Sequence, residues 1–303
     1  MNIKERFDYY IKNWKDKQII KIPDHAKEFK QNELIYYTGV NTPAPDNFPF
    51  HYGCWKESFW WHQHLLPLDI PCLTISADGK NSHDLPAIVK VRYIDNSKGG
   101  IIGPLEYNRH FALGDVKLYN GKKKWKDKRA DCIWRGSPTG IQDFRQEPKN
   151  WKNDRMMFCY KWKHKFDVGI TITWNKWDSN YLKPSMSIRE MLDYKYIISL
   201  PGNDKDSGIN WKLASNSVVL MAPPKLESWL MEGLLKPWIH YVPLADDYSD
   251  LDKIVEWCRN NDEKCQEIVK NANIFMKQFE NVETEKEIFD MIKEHYKNTF
   301  TLI

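Results

Sequence analysis

Short apolar runs alternate with helical stretches through the second half of the sequence. The runs YIISL (196–200), VVLM (218–221) and IHYV (239–242) are separated by stretches of helical composition. Such alternation is typical of βαβ units, in which helices connect the neighbouring strands of a parallel sheet. Two earlier segments, 87–93 (AIVKVRY) and 168–174 (VGITITW), have strand-like alternation as well. The pattern predicts an α/β fold.

Three helices are predicted in the carboxy-terminal region. Ser249 is placed to cap the first, and Asp262 opens the second. Thr284 and Glu287 have the spacing of a capping box, which predicts that the third begins there. These helices are expected to cover a sheet.

Composition excludes several classes of protein. Of 303 residues, 42% are apolar and 28% charged, which excludes a wholly disordered, collagenous or coiled-coil chain. The net charge of +4 is too small for a surface devoted to nucleic acid. The six cysteines are scattered without a zinc-ligand spacing. With no run of about 20 apolar residues and no apolar signal core at the amino terminus, we expect no membrane span and a cytoplasmic location.

The polar turn after residues 196–200 is the first candidate site. It contains Gly202, Asn203 and Ser207 and leads into a helix carrying Asn210 and Lys212. Ligands of open α/β sheets bind beyond the carboxyl ends of strands, where backbone N–H groups and a cation can hold a diphosphate. An ordinary strand-to-helix turn is the alternative.

A second candidate is the segment Ile133–Gly140 (IWRGSPTG). Arg135 offers a guanidinium fork beside the small hydroxylated residues Ser137 and Thr139, a combination that suits phosphate oxygens. Two such turns in one α/β region favour an anion site more strongly than either does alone.

Several motifs in the same order resemble the glycosyltransferases of family 90. They are WKDK running into IWRGS (125–137), YIISLPGN (196–203), WKLASNSVVL (211–220) and LKPWIHYVP (235–243). The resemblance covers about residues 120–280, as the span of these motifs indicates. It implies a GT-B architecture, with two Rossmann-like lobes facing a cleft and an inverting transfer from a UDP-sugar without an essential metal.

The same resemblance implies a division of the chain and a set of donor contacts. An amino-terminal acceptor-side lobe, 1–127, is completed by helices in 263–303, and a nucleotide-sugar lobe covers 128–262. The residues implied around the nucleotide diphosphate are Arg135, Ser137, Thr139, Asn210 and Lys212, joined by Gly202, Asn203 and Ser207 of the polar turn. Glu227 is implied to bind the ribose hydroxyls.

The catalytic base is not determined by the motifs. The family uses an Asp in an amino-terminal loop, but the aligned position here is Gly100. An inverting transferase needs a carboxylate or imidazole within reach of the acceptor hydroxyl. The candidates are Asp95, ranked first, then Asp84 and Asp78.

Asp204 and Asp206 have the spacing of a D-x-D element, which binds a divalent cation in other glycosyltransferases. The resemblance instead implies that this loop contacts the donor without metal, so no metal cofactor is expected.

The chain is similar to family members of large algal viruses that build capsid glycans. That similarity implies UDP-xylose as donor, with glucose next, and a fucose-containing capsid N-glycan or glycoprotein as acceptor in the host cytoplasm.

Two alternatives stay open. Residues 122–129 place Trp125 among lysines, as in a single-stranded nucleic-acid binder, and a non-catalytic carbohydrate-binding module would bind glycans but leave UDP-sugars unchanged.

Overall fold

The structure is a computed structural model that describes residues 1–21, 35–38, 72–75, 85–95, 99–104, 123–140, 154–173 and 178–303. Within these residues the α-helices are α1 (Ile3–Tyr10), α2 (Asp154–Trp162), α3 (Ile188–Met191), α4 (Ile209–Leu213), α5 (Leu251–Asn260), α6 (Asp262–Met276) and α7 (Val282–Thr299). In the same described ranges, no helix is long and apolar enough to cross a bilayer.

The strands of the described residues are β1 (Gln18–Ile20), β2 (Ile35–Thr38), β3 (Cys72–Ile75), β4 (Ile88–Val89), β5 (Arg92–Tyr93), β6 (Ile101–Ile102), β7 (Arg129–Gly136), β8 (Asp167–Ile170), β9 (Tyr194–Ile198), β10 (Val218–Met221), β11 (Leu226–Glu227), β12 (Val242–Pro243) and β13 (Phe300–Leu302).

The chain divides into two compact units. The first comprises Met1–Asp115, Lys225–Gly233 and Phe279–Ile303, and the second comprises Val116–Pro224 and Leu234–Gln278. The bounds of these units differ from those of the predicted lobes. The prediction placed α6 in the amino-terminal lobe and residues 225–233 in the nucleotide-sugar lobe. The reason is packing: α6 buries Cys265 and Ile268 in the core of the second unit, whereas β11 pairs with β5 of the first.

The second unit contains the predicted parallel sheet. Five strands lie in the order β12-β10-β9-β7-β8, and every neighbouring pair is parallel. A buried cluster on one face includes Cys132 and Trp134 of β7 and residues of α2, α5 and α6. Ile133 belongs to a smaller cluster with Ile197, because side chains alternate between the two faces of a strand. The α/β fold class is therefore confirmed.

The chain changes the direction in which it adds strands to the sheet after β8, so that the change lies between the neighbouring strands β7 and β9. From β7 the chain goes to β8 on one side, and it then returns to β9 and continues to β10 and β12 on the other side. A parallel sheet opens a crevice at the carboxyl ends of the strands where such a reversal occurs. The loops that follow β7 and β9 meet at that point.

Some element boundaries differ from the predictions. The segment 87–93 forms two short strands, β4 and β5, instead of one, and they join different sheets. Helix α7 begins at Val282, before the predicted capping box, because the Asn281 side chain accepts hydrogen bonds from the N–H groups of Glu283 and Thr284. Helix α5 begins at Leu251 and α6 at Asp262, so the positions predicted for both starts are confirmed to within two residues.

A buried ion pair joins α1 to α7 in the first unit. Arg6 and Glu285 are each 1% exposed, and their side chains are in hydrogen-bond contact. The Arg6 guanidinium also donates to the Tyr10 hydroxyl at 3.0 Å, and the Trp229 indole N–H donates to Glu285. Tyr10 and Trp229 stack with ring centroids 4.1 Å apart. The pair thus holds α1, α7 and the segment 225–233 together.

Replacing Arg6 with methionine should lower the free energy of unfolding by about 3–5 kcal/mol, because the Glu285 carboxylate stays buried without its cation. Urea unfolding followed by circular dichroism measures the loss. Lys4→Met is the matched control on the same helix: Lys4 is 76% exposed in its ion pair with Asp8, and its loss should cost less than about 1 kcal/mol. Equal losses in the two variants would contradict this account.

Candidate functional site

Two loops meet at the carboxyl edge of the sheet in the second unit. Residues 137–140 follow β7, and residues 199–208 lie between β9 and α4. The backbone N–H of Gly140 donates to the Asn203 side-chain oxygen at 2.9 Å, which joins the two loops directly. We call these loops, together with Arg155 of α2, the strand-exit site. Its position is where the reversal of strand order predicts a ligand site.

The guanidinium of Arg155 links both loops. It donates to the Thr139 hydroxyl at 2.5 Å and to the Ser137 carbonyl at 3.1 Å on one side. On the other side it donates to the carbonyls of Pro201 at 2.9 Å and Leu200 at 3.2 Å. Arg155 is 8% exposed, and its guanidinium brings a positive charge to the edge of the sheet.

Arg155 was missed by the sequence analysis. It is the second residue of α2, where it precedes the apolar residues Met156 and Met157, and no phosphate-binding motif includes it. Its position at the start of the helix after the first loop is the only signal in the sequence. An arginine at a helix start is too common to be selected on that basis.

Gly202 lies where the two loops approach each other. A Cβ atom on Gly202 would lie 2.8 Å from the Thr139 hydroxyl oxygen and 3.1 Å from an Arg155 guanidinium nitrogen. A larger residue at this position would displace the Thr139 and Arg155 side chains that link the loops. The structure therefore brings Ser137, Thr139, Gly202 and Asn203 together, as the sequence predicts.

Ser207 and Asn210 lie at the end of the second loop and the start of α4. Both are half-buried, and the side-chain oxygen of Asn210 is buried without a hydrogen-bond partner. A buried acceptor of this kind is uncommon in folded proteins and can accept a hydrogen bond from a ligand.

Lys212 forms an ion pair instead of presenting its charge to solvent. Its ammonium group contacts the Asp206 carboxylate and donates to the Ile198 carbonyl at 3.0 Å. Asp206 belongs to the predicted D-x-D element, so that carboxylate is occupied by a cation of the protein. Among the described residues, no group of three or more His, Cys, Asp or Glu side chains could hold a metal ion.

Arg135 is also paired within the protein. Its guanidinium donates to the Asp167 carboxylate at 2.7 Å and to three backbone carbonyls, those of Trp134, Asp167 and Pro184. Burial alone would raise the pKa of Asp167, but hydrogen bonds from Tyr194 and Arg135 hold that pKa below its usual value. Arg135 and Ile133 are two residues apart on β7, so they lie on the same face of the sheet. Trp134 lies on the opposite face, and the Arg155 guanidinium lies over its ring. Arg135 is thus ion-paired within the protein, and its predicted phosphate contact stays a prediction.

Glu227 lies in the first unit and is fully buried. Its carboxylate accepts hydrogen bonds from Lys12 and Arg92, both at 2.8 Å, and from the Tyr9 hydroxyl. Arg92 stands opposite Glu227 in the antiparallel pairing of β5 and β11. Glu227 thus accepts from three donors of the first unit, and its predicted contact with ribose hydroxyls stays a prediction.

Asp95 lies two residues after the end of β5 in the first unit and is exposed. Its side chain is therefore accessible to an acceptor. The other two candidate bases, Asp84 and Asp78, lie outside the described residues.

Two residues of the basic segment 122–129, Trp125 and Lys128, pack into the second unit. The Trp125 indole packs against the core cluster and donates to Asp262 at 2.7 Å. Lys128 is 5% exposed, and its ammonium group donates to three oxygens of Asn216 and Ser217. Trp125 is half-buried and Lys128 is buried, whereas Lys124, Lys126 and Arg129 are exposed. The nucleic-acid alternative stays a prediction.

Comparisons with known proteins agree on one family. A sequence profile described as glycosyl transferase family 90 matches residues 106–297, which include the strand-exit site. The O-glucosyltransferase LpsA of Dichelobacter nodosus is 30% identical over 279 residues, covering 87% of this chain and 81% of LpsA.

Two further relatives match over shorter regions. Protein O-glucosyltransferase 1 of Homo sapiens is 23% identical over 158 residues, or 50% of this chain and 38% of the human protein. The uncharacterized protein 027R of Frog virus 3 is 31% identical over 170 residues, or 48% of this chain and 17% of the viral protein.

Proposed function

The chain belongs to glycosyl transferase family 90, and on that premise we propose that it transfers a sugar from a UDP-sugar to a hydroxyl group of a glycan or glycoprotein, with inversion at the anomeric carbon. Family membership supports glycosyl transfer itself. The donor nucleotide, the sugar and the acceptor are parts of the proposal.

The observation that carries this proposal is the pair of loops linked by Arg155 at the carboxyl edge of the sheet. A departing nucleoside diphosphate gains negative charge as the bond to the sugar breaks. Fixed cations and N–H or O–H donors stabilise that charge without reorganising during the reaction. In the proposed complex, Arg155 supplies the cation, and the hydroxyls of Ser137 and Thr139 supply donors. The second loop contributes Gly202, Asn203 and Ser207, and the start of α4 contributes Asn210.

The GT-B architecture also belongs to the proposal. The second unit has a five-stranded parallel sheet, and in the first unit β3, β4 and β6 pair in parallel as well. Parallel strands in both units are what two Rossmann-like lobes require. In this arrangement the second unit binds the donor and the first binds the acceptor.

The donor sugar is either glucose or xylose in this proposal. The names of LpsA and of the protein O-glucosyltransferases support glucose, whereas the similarity to family members of large algal viruses implies xylose. The two sugars differ by one hydroxymethyl group on the ring, so a few side chains at the sugar subsite decide between them. A fucose-containing capsid glycan as acceptor and a cytoplasmic location stay predictions.

A comparison of two arginine variants tests the donor site. Arg155→Met should lower kcat/KM for the UDP-sugar about 10²-fold or more, because the cation beside the leaving group is lost. Arg135→Met removes a cation that is paired with Asp167 and should change kcat/KM less than about 10-fold at a temperature where the variant is folded. The assay measures release of UDP and of the sugar from UDP-glucose and UDP-xylose. A larger loss in Arg135→Met would restore Arg135 to the site and contradict the arrangement proposed here.

Asp95→Asn tests the proposed catalytic base. The variant should lose at least about 10²-fold in kcat, because the amide cannot take the proton of the acceptor hydroxyl. Its dissociation constant for UDP, measured by calorimetry, should stay within about twofold of the unaltered protein. Retained transfer would assign the base to another residue, with Asp84→Asn and Asp78→Asn as the next variants.

Chelation tests whether transfer needs a metal. We expect EDTA to leave kcat unchanged, since Lys212 already occupies the carboxylate of Asp206 that a divalent cation would use. Activity that disappears with EDTA and returns with Mn²⁺ would assign Asp204 and Asp206 to a metal site.

A protein that binds glycans but neither binds nor turns over UDP-sugars would instead be a carbohydrate-binding module.

A further inference from the structure

Asp206 of the strand-exit site forms a buried ion pair with Lys212 of α4. The side chains of Lys212 and Asp206 are 7% and 10% exposed, and the ammonium group contacts the carboxylate. The same ammonium group donates to the carbonyl of Ile198, the last residue of β9. Lys212 thus connects helix α4 to the end of the strand that precedes the loop.

Asp206 fixes both ends of the loop 199–208. One carboxylate oxygen accepts a hydrogen bond from the Ser199 hydroxyl at 2.7 Å, directly after β9. The other accepts from the backbone N–H of Gly208 at 2.9 Å, directly before α4. Burial alone would raise the pKa of Asp206, but the Lys212 ammonium beside this carboxylate holds that pKa below its ordinary value. The carboxylate is therefore ionised at neutral pH.

These contacts leave Lys212 little charge to offer a ligand. The ammonium charge is compensated at contact distance by a carboxylate that three groups of the protein hold in place. For Lys212 to bind a phosphate, Asp206 would have to give up its cation while still buried, and a buried carboxylate without its partner is costly.

We infer that Lys212 is a positioning residue, which through Asp206 holds the loop 199–208 in the shape that receives the donor diphosphate, and that it does not itself bind phosphate. The inference rests on the proposed function, because it assigns a role within the same donor site. It replaces the sequence-based assignment of Lys212 to the diphosphate.

The test compares Lys212→Met, Asp206→Asn and the double variant by their dissociation constants for UDP, measured by calorimetry. Lys212→Met should weaken UDP binding at least 10-fold, because the Asp206 carboxylate is left buried and unpaired next to an incoming anion. The double variant removes the cation and the anion together, and the amide oxygen of the substituted side chain can still accept from the N–H of Gly208. Its dissociation constant should return to within about threefold of the unaltered protein.

Direct contact between Lys212 and the diphosphate gives the opposite result. The double variant would then bind UDP as weakly as Lys212→Met or more weakly, and this outcome overturns the inference. If Lys212→Met does not fold, the double variant alone decides, since its dissociation constant is near that of the unaltered protein under the inference and raised 10-fold or more under direct contact.

An exposed ion pair in the same unit provides the matched control. Lys264 and Glu267 are 2.8 Å apart at 42% and 56% exposure, and Lys264→Met, Glu267→Gln and their double variant should leave UDP binding within about twofold. Failure of the unaltered protein to bind UDP or any UDP-sugar would contradict the proposed function, and the inference with it. Binding by the unaltered protein without rescue in the double variant contradicts the inference alone.

Discussion

The hydrogen bonds from one guanidinium to two loops are the interaction on which the candidate site depends. Arg155 donates to the loop after β7 and to the loop after β9, and these strands are neighbours from which the chain departs in opposite directions. The sheet supplies the crevice, the guanidinium links the two loops, and a Cβ atom on Gly202 would meet the Thr139 and Arg155 side chains. A diphosphate bound here would meet groups that are already in place, which is the condition for effective electrostatic stabilisation.

Three charged residues that the sequence analysis places at the donor site are paired within the protein. Arg135, Lys212 and Glu227 are charged residues in or near family motifs, and each forms an ion pair inside the protein, with Asp167, Asp206 and Arg92 respectively. A charge removed from water must be paired. In these three ion pairs the two partners are between 6 and 135 residues apart in the sequence. A motif records that a cation is present, but not whether a carboxylate from elsewhere in the fold already compensates it.

Much of the second unit could be predicted because its signals are local. The strand at 218–221 has the predicted bounds, and helices α5 and α6 begin close to their predicted starts, since apolar periodicity and capping act within a few residues. The segment 87–93 was predicted less well. Its alternation is that of one strand, yet β4 pairs with β3 and β6 while β5 pairs with β11. Pairing with distant strands decides where so short a strand ends, and periodicity carries no record of it.

The sequence by itself determined the α/β class, the family and the two loops that carry Ser137, Thr139, Gly202 and Asn203, because strand periodicity and motif order are properties of short segments. Only the tertiary structure decided which protein groups each charged side chain contacts. It brought Arg155 from the start of α2 to both loops, and it placed Lys212 against Asp206. The reason is that hydrogen bonds and ion pairs depend on distance in space, and the folded sheet sets the distance between residues far apart in the chain.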